Sequence, residues 1–401
     1  SKLPVQAVVD RITLWFVPTV MAIAMLTAVV WLMFGPGLAQ ALVAGVSVLI
    51  IACPCAMGLA TPVSILVGTG RGAELGILFR RGEALQRLET VRQVAFDKTG
   101  TLTRGVPVVQ SVVPDTPEVL AIAAAVEAGS EHPLAAAVLA EATARGIAAA
   151  EVTGFVAVPG MGARALLAGE PVSVGSARMF AQIPEHMERA AAAAQSQGQG
   201  VLFVGKADRA VGMITVADPV KPSAAAAIVG LAALNVSSVM ITGDDERTAR
   251  AVAAVIGIAD VRAGVMPAGK SGVMHELGPG TVFVGDGIND APALAAADVG
   301  IAMGTGTDVA IEAGDVVLMN GDPLGVVNAI ALSRATMRNI RQNLLWAFGY
   351  NVALIPVAAG VLVPFGGPQM SPMLGAGAMA LSSVFVLTNA LRLKRFKGGA
   401  T

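Results

Sequence analysis

Charge disappears from the chain twice. No Asp, Glu, Lys or Arg occurs between Arg11 and Arg71, and none between Arg341 and Arg392. A helix needs about 20 apolar residues to cross a bilayer, so each stretch is long enough for a pair of spans. The pattern predicts spans near 13–34, 40–69, 342–362 and 374–391. Between Arg71 and Arg341 charge is ordinary, and short apolar runs alternate with helical periodicity, which reads as an α/β region in water.

Composition agrees with this division. The chain has 401 residues, 55% hydrophobic and 14% charged, with a mean hydropathy of +0.70, too apolar for a wholly soluble protein. A net charge of −1 offers nothing to nucleic acid. Lys2, Arg11, Arg71, Arg80, Arg81, Arg334, Arg338, Arg341, Arg392, Lys394, Arg395 and Lys397 flank the expected spans on one side. The opposite connections, GPGLAQ and VPFGGPQMSP, carry no charge. The positive-inside rule therefore puts both ends and the middle region in the cytoplasm. The chain starts at Ser1 with neither Met nor signal peptide and reads as a piece of something longer.

Three apolar runs in the middle region end in acidic residues. Val91–Phe96 is followed by Asp97, SSVMI by TGDD, and TVFV by GDGIND, which holds Asp286, Asn289 and Asp290; Lys270 lies between the last two. Open α/β sheets place their sites at the carboxyl ends of strands. A single Asp there is usually a cap or turn residue. Together they supply a carboxylate nucleophile, carboxylates for a hard divalent ion, and a hydroxyl and an ammonium for phosphoryl oxygens.

Within the span expected at 40–69, ACPCA sets Cys53 and Cys55, the only two cysteines, on either side of Pro54. Two thiols so close cannot easily meet disulfide geometry. Proline unwinds a spanning helix locally, which is tolerated where the freed groups face protein or a cavity, and soft sulfur selects thiophilic ions over Mg²⁺, Ca²⁺ or Na⁺. The plain alternative is a pair of small residues in a helix seam. Tyr350, Asn351, Met379, Ser382 and Ser383 fall in the last two spans, which contain no Asp, Glu, Lys or His. Zn²⁺ would be expected to recruit a carboxylate or imidazole, so neutral donors favour a monovalent soft ion. Taken alone, each of these polar residues would bond across helices or pack.

DKTGT with TGDD and GDGIND resembles the P-type ATPases, and ACPCA in a span is similar to their heavy-metal branch, the copper(I) exporters in particular. The likeness covers essentially the whole chain. It implies a haloacid-dehalogenase-like doubly wound parallel sheet with an inserted α+β nucleotide-binding domain, beside an α-helical membrane region. The expected division is 1–70 membrane helices, 71–105 and 216–333 phosphorylation domain, 106–215 nucleotide-binding domain, and 334–401 membrane helices with a basic tail.

By the same resemblance Asp97 is phosphorylated by ATP, with Lys98, Thr99, Thr242, Gly243, Asp244, Lys270 and Asn289 around the phosphoryl group. Asp286 and Asp290, with Asp97 and Thr99, would hold Mg²⁺. SEHP and a Gly-x-Gly loop mark the nucleotide site, giving Glu127, His132, Gly160, Gly162 and Gly175, with Ser176 following where the family carries Asn. Without the family, His132 reads as a helix-start residue and the glycines as turns. His186 and His275 have no such company and are expected at the surface. Cys53, Cys55, Tyr350, Asn351, Met379, Ser382 and Ser383 would form the ion site or its exit path.

The implied function is ATP-driven efflux of Cu⁺, with Ag⁺, Zn²⁺ or Cd²⁺ as alternative cargo and a membrane-tethered phosphatase or metal binder as the alternative class. A cytoplasmic copper donor and a bacterial plasma membrane are expected. Phosphatases of the superfamily carry a second Asp two residues after the nucleophile as general acid and base; Thr99 stands there, so an acyl phosphate on Asp97 would persist. The family's actuator domain and earlier helices are not in the sequence, so this piece is expected to accept phosphate without completing turnover.

Overall fold

Gln93–Asp97, buried along nearly its whole length, lies inside a parallel sheet. The computed structural model describes residues 4–52, 55–130 and 132–398. They fall into two units: Val91–Val327, and the residues up to Thr90 together with those from Asn328 onward.

In Val91–Val327 the parallel strands run in the order Val316–Leu318, Val299–Met303, Thr281–Gly285, Gln93–Asp97, Ser237–Ile241, Asp260–Arg262. The chain builds outward on one side of Gln93–Asp97, then returns to build on the other. That reversal makes a crevice at the carboxyl edge, where such sheets bind ligands. Register brings Phe96 level with Val284 and Asp97 level with Ile241, so the acidic residues after each strand meet at one edge. Both faces are apolar: on one, Ala95, Val239, Ile241 and Phe283 pack with Met274, Leu294 and Ala310, and on the other Val94, Phe96, Met240 and Val284 are fully buried.

Residues following the first strand leave this sheet for a second one, wholly antiparallel. Its order is Val108–Val113, Arg209–Ala217, Gly200–Lys206, Glu170–Gly175, Gly162–Leu167, Thr153–Val158. Helices Pro117–Glu127 and Pro133–Ala144 cover it through Leu120, Ala124 and Val138. This antiparallel sheet with its helices is the inserted α+β fold that was expected, its strands running from Val108 to Ala217.

The other unit is helical: Pro4–Phe34, Leu38–Ile51, Cys55–Glu74, the part of Leu324–Ala358 from Asn328 onward, and Pro372–Leu391. Among the described residues three segments are long and apolar enough to cross a membrane, Val9–Phe34, Leu38–Glu74 and Pro372–Arg395. Large apolar side chains such as Leu14, Trp15, Leu345 and Leu381 are exposed on these helices, as a hydrocarbon surrounding favours. Where a third span was expected at 342–362, the helix starts upstream at Leu324 and ends at Ala358. Gln342, Asn343, Tyr350 and Asn351 dilute its hydropathy, and it does not meet the same measure of length and apolarity.

Two of those polar residues are buried, and the reason is visible for one. Asn343 donates to Ser64 Oγ and to Asn339 Oδ1, both at 3.2 Å, and accepts from Asn389 Nδ2 at 2.8 Å. Asn339 in turn donates to the Asn389 carbonyl at 2.9 Å and accepts from Ser64 at 2.9 Å. The network ties Cys55–Glu74, Leu324–Ala358 and Pro372–Leu391 with neutral groups, the form of interhelical bonding that an apolar surrounding tolerates.

Candidate active site

Asp97 terminates its strand at the crevice and is 6% exposed. Lys270, first residue of helix Lys270–Leu277, reaches across so that Nζ lies 2.7 Å from Asp97 Oδ1 and 2.6 Å from Asp290 Oδ1. Asp290 also accepts from the backbone N–H of Asp286 and Gly287, each at 3.2 Å. Oxygens of Asp97, Asp286 and Asp290 all lie within 4.8 Å of one another. Three carboxylates thus face one ammonium in a largely buried space.

The electrostatics register that imbalance. Burial, then repulsion from Asp290, pushes the Asp97 carboxyl up to about 7 against the pull of Lys270. Burial and Asp290 push Asp286 up to about 6. For Lys270 burial works to lower the ammonium, but Asp97 and Asp290 together outweigh it and hold it above the ordinary lysine value. A divalent cation among the three carboxylates would relieve this repulsion, so the donor set fits Mg²⁺.

The loop after Asp97 is shaped by Gly100. It adopts φ +71°, and a Cβ there would fall 1.6 Å from Asp286 Oδ2, so only glycine lets that carboxylate reach the centre. Thr99, one residue earlier, is exposed at the rim. Thr242 is buried, with its hydroxyl accepting from Asp244 N–H at 3.1 Å, and Gly243 is exposed beside it. Lys98 turns away from Asp97 to pair with Asp244. Asn289 is exposed near the cluster in sequence, and its contacts do not enter the network above.

Two functional positions escaped sequence reasoning. Lys221 Nζ donates to the carbonyls of Gly100 and Gly321 at 2.6 and 2.9 Å, and burial lowers its ammonium despite the carboxylate of Asp286 nearby. Asp218 accepts from Thr103 Oγ1 at 2.5 Å and Gly105 N–H at 2.9 Å. The pair clamps the loop carrying Thr99 and Gly100. The available signal was DPVK, a second acid and base directly after a strand.

All six expected nucleotide residues, Glu127, His132, Gly160, Gly162, Gly175 and Ser176, line one cavity of about 420 Å³. Gly162 and Gly175 are cross-strand partners, and a Cβ on Gly175 would come 2.2 Å from the Met161 carbonyl, so bare backbone is required there. His132 caps helix Pro133–Ala144, Nδ1 accepting from Leu134 N–H at 3.2 Å, and also lines the cavity. With Nδ1 an acceptor, the neutral ring carries its proton on Nε2. Burial raises the Glu127 carboxyl against a hydrogen bond from Ser130. The Ser176 hydroxyl is buried with no partner among the described residues.

Of the expected sulfur pair, Cys53 lies outside the described residues, as does Pro54, and Cys55 enters only as the first residue of Cys55–Glu74. Asn351, Met379 and Ser382 are buried. The side-chain oxygens of Asn351 and Ser382, with that of Thr61, have no hydrogen-bond partner among the described residues. Ser383 donates to the Met379 carbonyl at 3.3 Å, and Tyr350 stacks on Trp346 with centroids 5.9 Å apart. Three buried oxygens without donors are a cost unless another group meets them. Thr61 was not anticipated, since one threonine in an apolar helix carries no signal.

Comparison with known proteins follows the same lines. A family described as haloacid dehalogenase-like hydrolase matches residues 91–298. Copper-transporting ATPase 1 of Rhizobium meliloti (strain 1021) is 54% identical over 98% of this chain and 49% of its own length. The silver exporting P-type ATPase of Salmonella typhimurium is 46% identical over 100% of this chain and 50% of its own. The crystal structure of a zinc-transporting PIB-type ATPase in its E2.Pi state superposes with a TM-score of 0.79 at 38% identity, covering 96% of this chain and 64% of that one. The chain spans about half the length of the curated relatives it matches. The likeness to heavy-metal P-type ATPases read from DKTGT, GDGIND and ACPCA is borne out.

Proposed function

The chain belongs to the haloacid dehalogenase-like hydrolases, and we propose that it forms the catalytic and ion-carrying part of an ATP-driven exporter of monovalent copper. The observation that carries this reading is the buried cluster of Asp97, Asp286 and Asp290 around Lys270.

ATP enters the cavity at His132 and Ser176, with backbone at Gly160, Gly162 and Gly175 approaching its phosphates. The Asp97 carboxylate attacks the γ-phosphorus; an Asp97 O–P bond forms, the bridging bond to the β-phosphate breaks, and ADP carries away that electron pair. Mg²⁺ held by Asp97, Asp286 and Asp290 would supply positive charge for the phosphoryl oxygens. Lys270 holds Asp97 in place and offsets its charge. Thr242 and Gly243 border the phosphoryl group, and Lys221 fixes the Gly100 loop against it. Exposed Thr99 offers no carboxylate to direct water at the acyl phosphate, which supports a persistent intermediate over a phosphatase.

Copper is favoured as cargo by the helical donors. Asn351, Met379 and Ser382 are neutral, and with the thiols of Cys53 and Cys55 they would suit a monovalent soft ion. The same chemistry accepts Ag⁺, and a silver exporter is among the relatives. We place the protein in a bacterial plasma membrane, receiving copper from a cytoplasmic donor. Vesicle uptake of radioactive copper driven by ATP under reducing conditions tests the reading. Uptake that follows Zn²⁺ and ignores Cu⁺ would overturn the choice of metal, and an Asp97→Asn protein that still transports would overturn the mechanism.

A further inference from the structure

The helical unit has a groove that phosphoryl transfer does not use and that, of the residues expected at the ion site, Tyr350 alone lines. It runs along one face of Leu324–Ala358, where Gln342, Trp346, Gly349 and Ala353 recur at helical spacing, opposite Phe385 and Asn389 of Pro372–Leu391. Its volume is about 540 Å³. From Gln342 to Ala353 the rise is roughly 16 Å, close to the depth of one leaflet's hydrocarbon, about 15 Å. Trp346 and Phe385 stack across it with centroids 4.3 Å apart, yet remain 41% and 45% exposed. Gly349 leaves the floor bare: a Cβ there meets nothing within 4 Å.

The basic end of the groove opens into a second cavity of about 330 Å³, which shares Gln342, Asn389 and Arg392 with the first. Here Arg338, Arg392 and Arg395 converge. All three are exposed, and none is paired with a carboxylate among the described residues. Arg392 is oriented by a bond of 3.2 Å from Nη1 to Asn389 Oδ1. Guanidinium groups match phosphate oxygens in geometry and charge, and basic pockets between helices at the positive side of a membrane suit anionic headgroups.

We propose that these joined cavities form a site for one anionic phospholipid, its phosphate among Arg338, Arg392 and Arg395 and an acyl chain laid over Gly349 along the exposed edges of the stacked Trp346 and Phe385. Charge selects the headgroup, and the aromatic walls select a chain over a free anion. The lipid would brace Leu324–Ala358 against Pro372–Leu391, the two helices that carry Asn351 and Met379.

Trp346 reports on the site directly. The chain has three tryptophans; replacing Trp15 and Trp31 by Phe leaves one. The protein is placed in phosphatidylcholine nanodiscs carrying increasing fractions of phosphatidylglycerol or phosphatidylcholine with dibrominated chains, and quenching of Trp346 is recorded. Half-maximal quenching by the brominated phosphatidylglycerol is expected at about one tenth the mole fraction needed for the brominated phosphatidylcholine. Replacing the three arginines by Gln brings the two lipids level. Gly349→Leu, which leaves the arginines alone, weakens quenching by the anionic lipid. Equal quenching by both lipids in the protein with its arginines intact overturns the site, as does a preference abolished by millimolar inorganic phosphate, which would make it a free-anion pocket. An unchanged preference in Gly349→Leu overturns the placement of the chain.

Discussion

The polar groups that meet at Asp97 in Val91–Val327 are ions: the buried carboxylates of Asp97 and Asp290, the half-buried one of Asp286, and the ammonium of Lys270, whose charges do not cancel. Among the helices they are amides and hydroxyls, closed into a network through Asn339, Asn343, Asn389 and Ser64 or, at Asn351, Ser382 and Thr61, unmatched among the described residues. The contrast follows the ion each would meet. A hard divalent ion and a phosphoryl group need concentrated charge, and a sheet edge beside water can hold it. A soft monovalent ion asks for polarisable or neutral donors, and a helical core in hydrocarbon can hold those without the cost of a buried charge.

That contrast can be broken at either end. The largest effect is expected from Asp97→Asn, which should lower acid-stable labelling from [γ-³²P]ATP by about 1000-fold or more, since the neighbouring carboxylates of Asp286 and Asp290 are assigned to the divalent ion. Gly100→Ala drives a methyl group into Asp286 and should cut the same labelling by about 100-fold, the usual penalty for displacing a reacting geometry by an ångström. Asn343→Leu strands the partners of the neutral network; thermal unfolding in nanodiscs should show a loss of about 1–2 kcal/mol, while labelling stays within about twofold.

Acidity gives a smaller and oppositely signed test. Asp97 and Asp286 titrate near 7 and 6 in the folded chain, above the ordinary 3.8. Folding therefore takes up protons, and the stability this contributes is fully present below the unfolded value and lost as pH rises through about 6 to 7. Without divalent ions, Tm should rise by about 4 °C between pH 8 and pH 5, and added Mg²⁺ should flatten the slope. A slope of the opposite sign would mean the carboxylates are satisfied by the protein alone. The smallest effect is Ser176→Asn, which offers a longer amide to the cavity and should tighten ATP binding about threefold by calorimetry.

Much of the carboxylate cluster was legible because each of its acidic members follows an apolar run at a strand end, and register does the rest. Gln93–Asp97 and Thr281–Gly285 pair in parallel, so Asp97 and Asp286 had to meet. His132 was open to two readings, helix start and nucleotide contact, and the structure has room for both. The amide network was not legible. Ser64, Asn339, Asn343 and Asn389 stand far apart along the chain, and a neutral residue in an apolar run gives no sign of its partner until the helices pack. Lys221 was missed for a related reason: it binds backbone carbonyls, which leave no trace in residue type.

The left-handed turn at Gly100 also limits heredity. With the Asp286 carboxylate pressed against its Cα, position 100 has one permitted occupant, whereas Gly58 and Gly70 face open space. Among descendants of this sequence the first should stay fixed as the others drift, so a lineage in which Gly100 has changed would be expected to have abandoned the chemistry next to it.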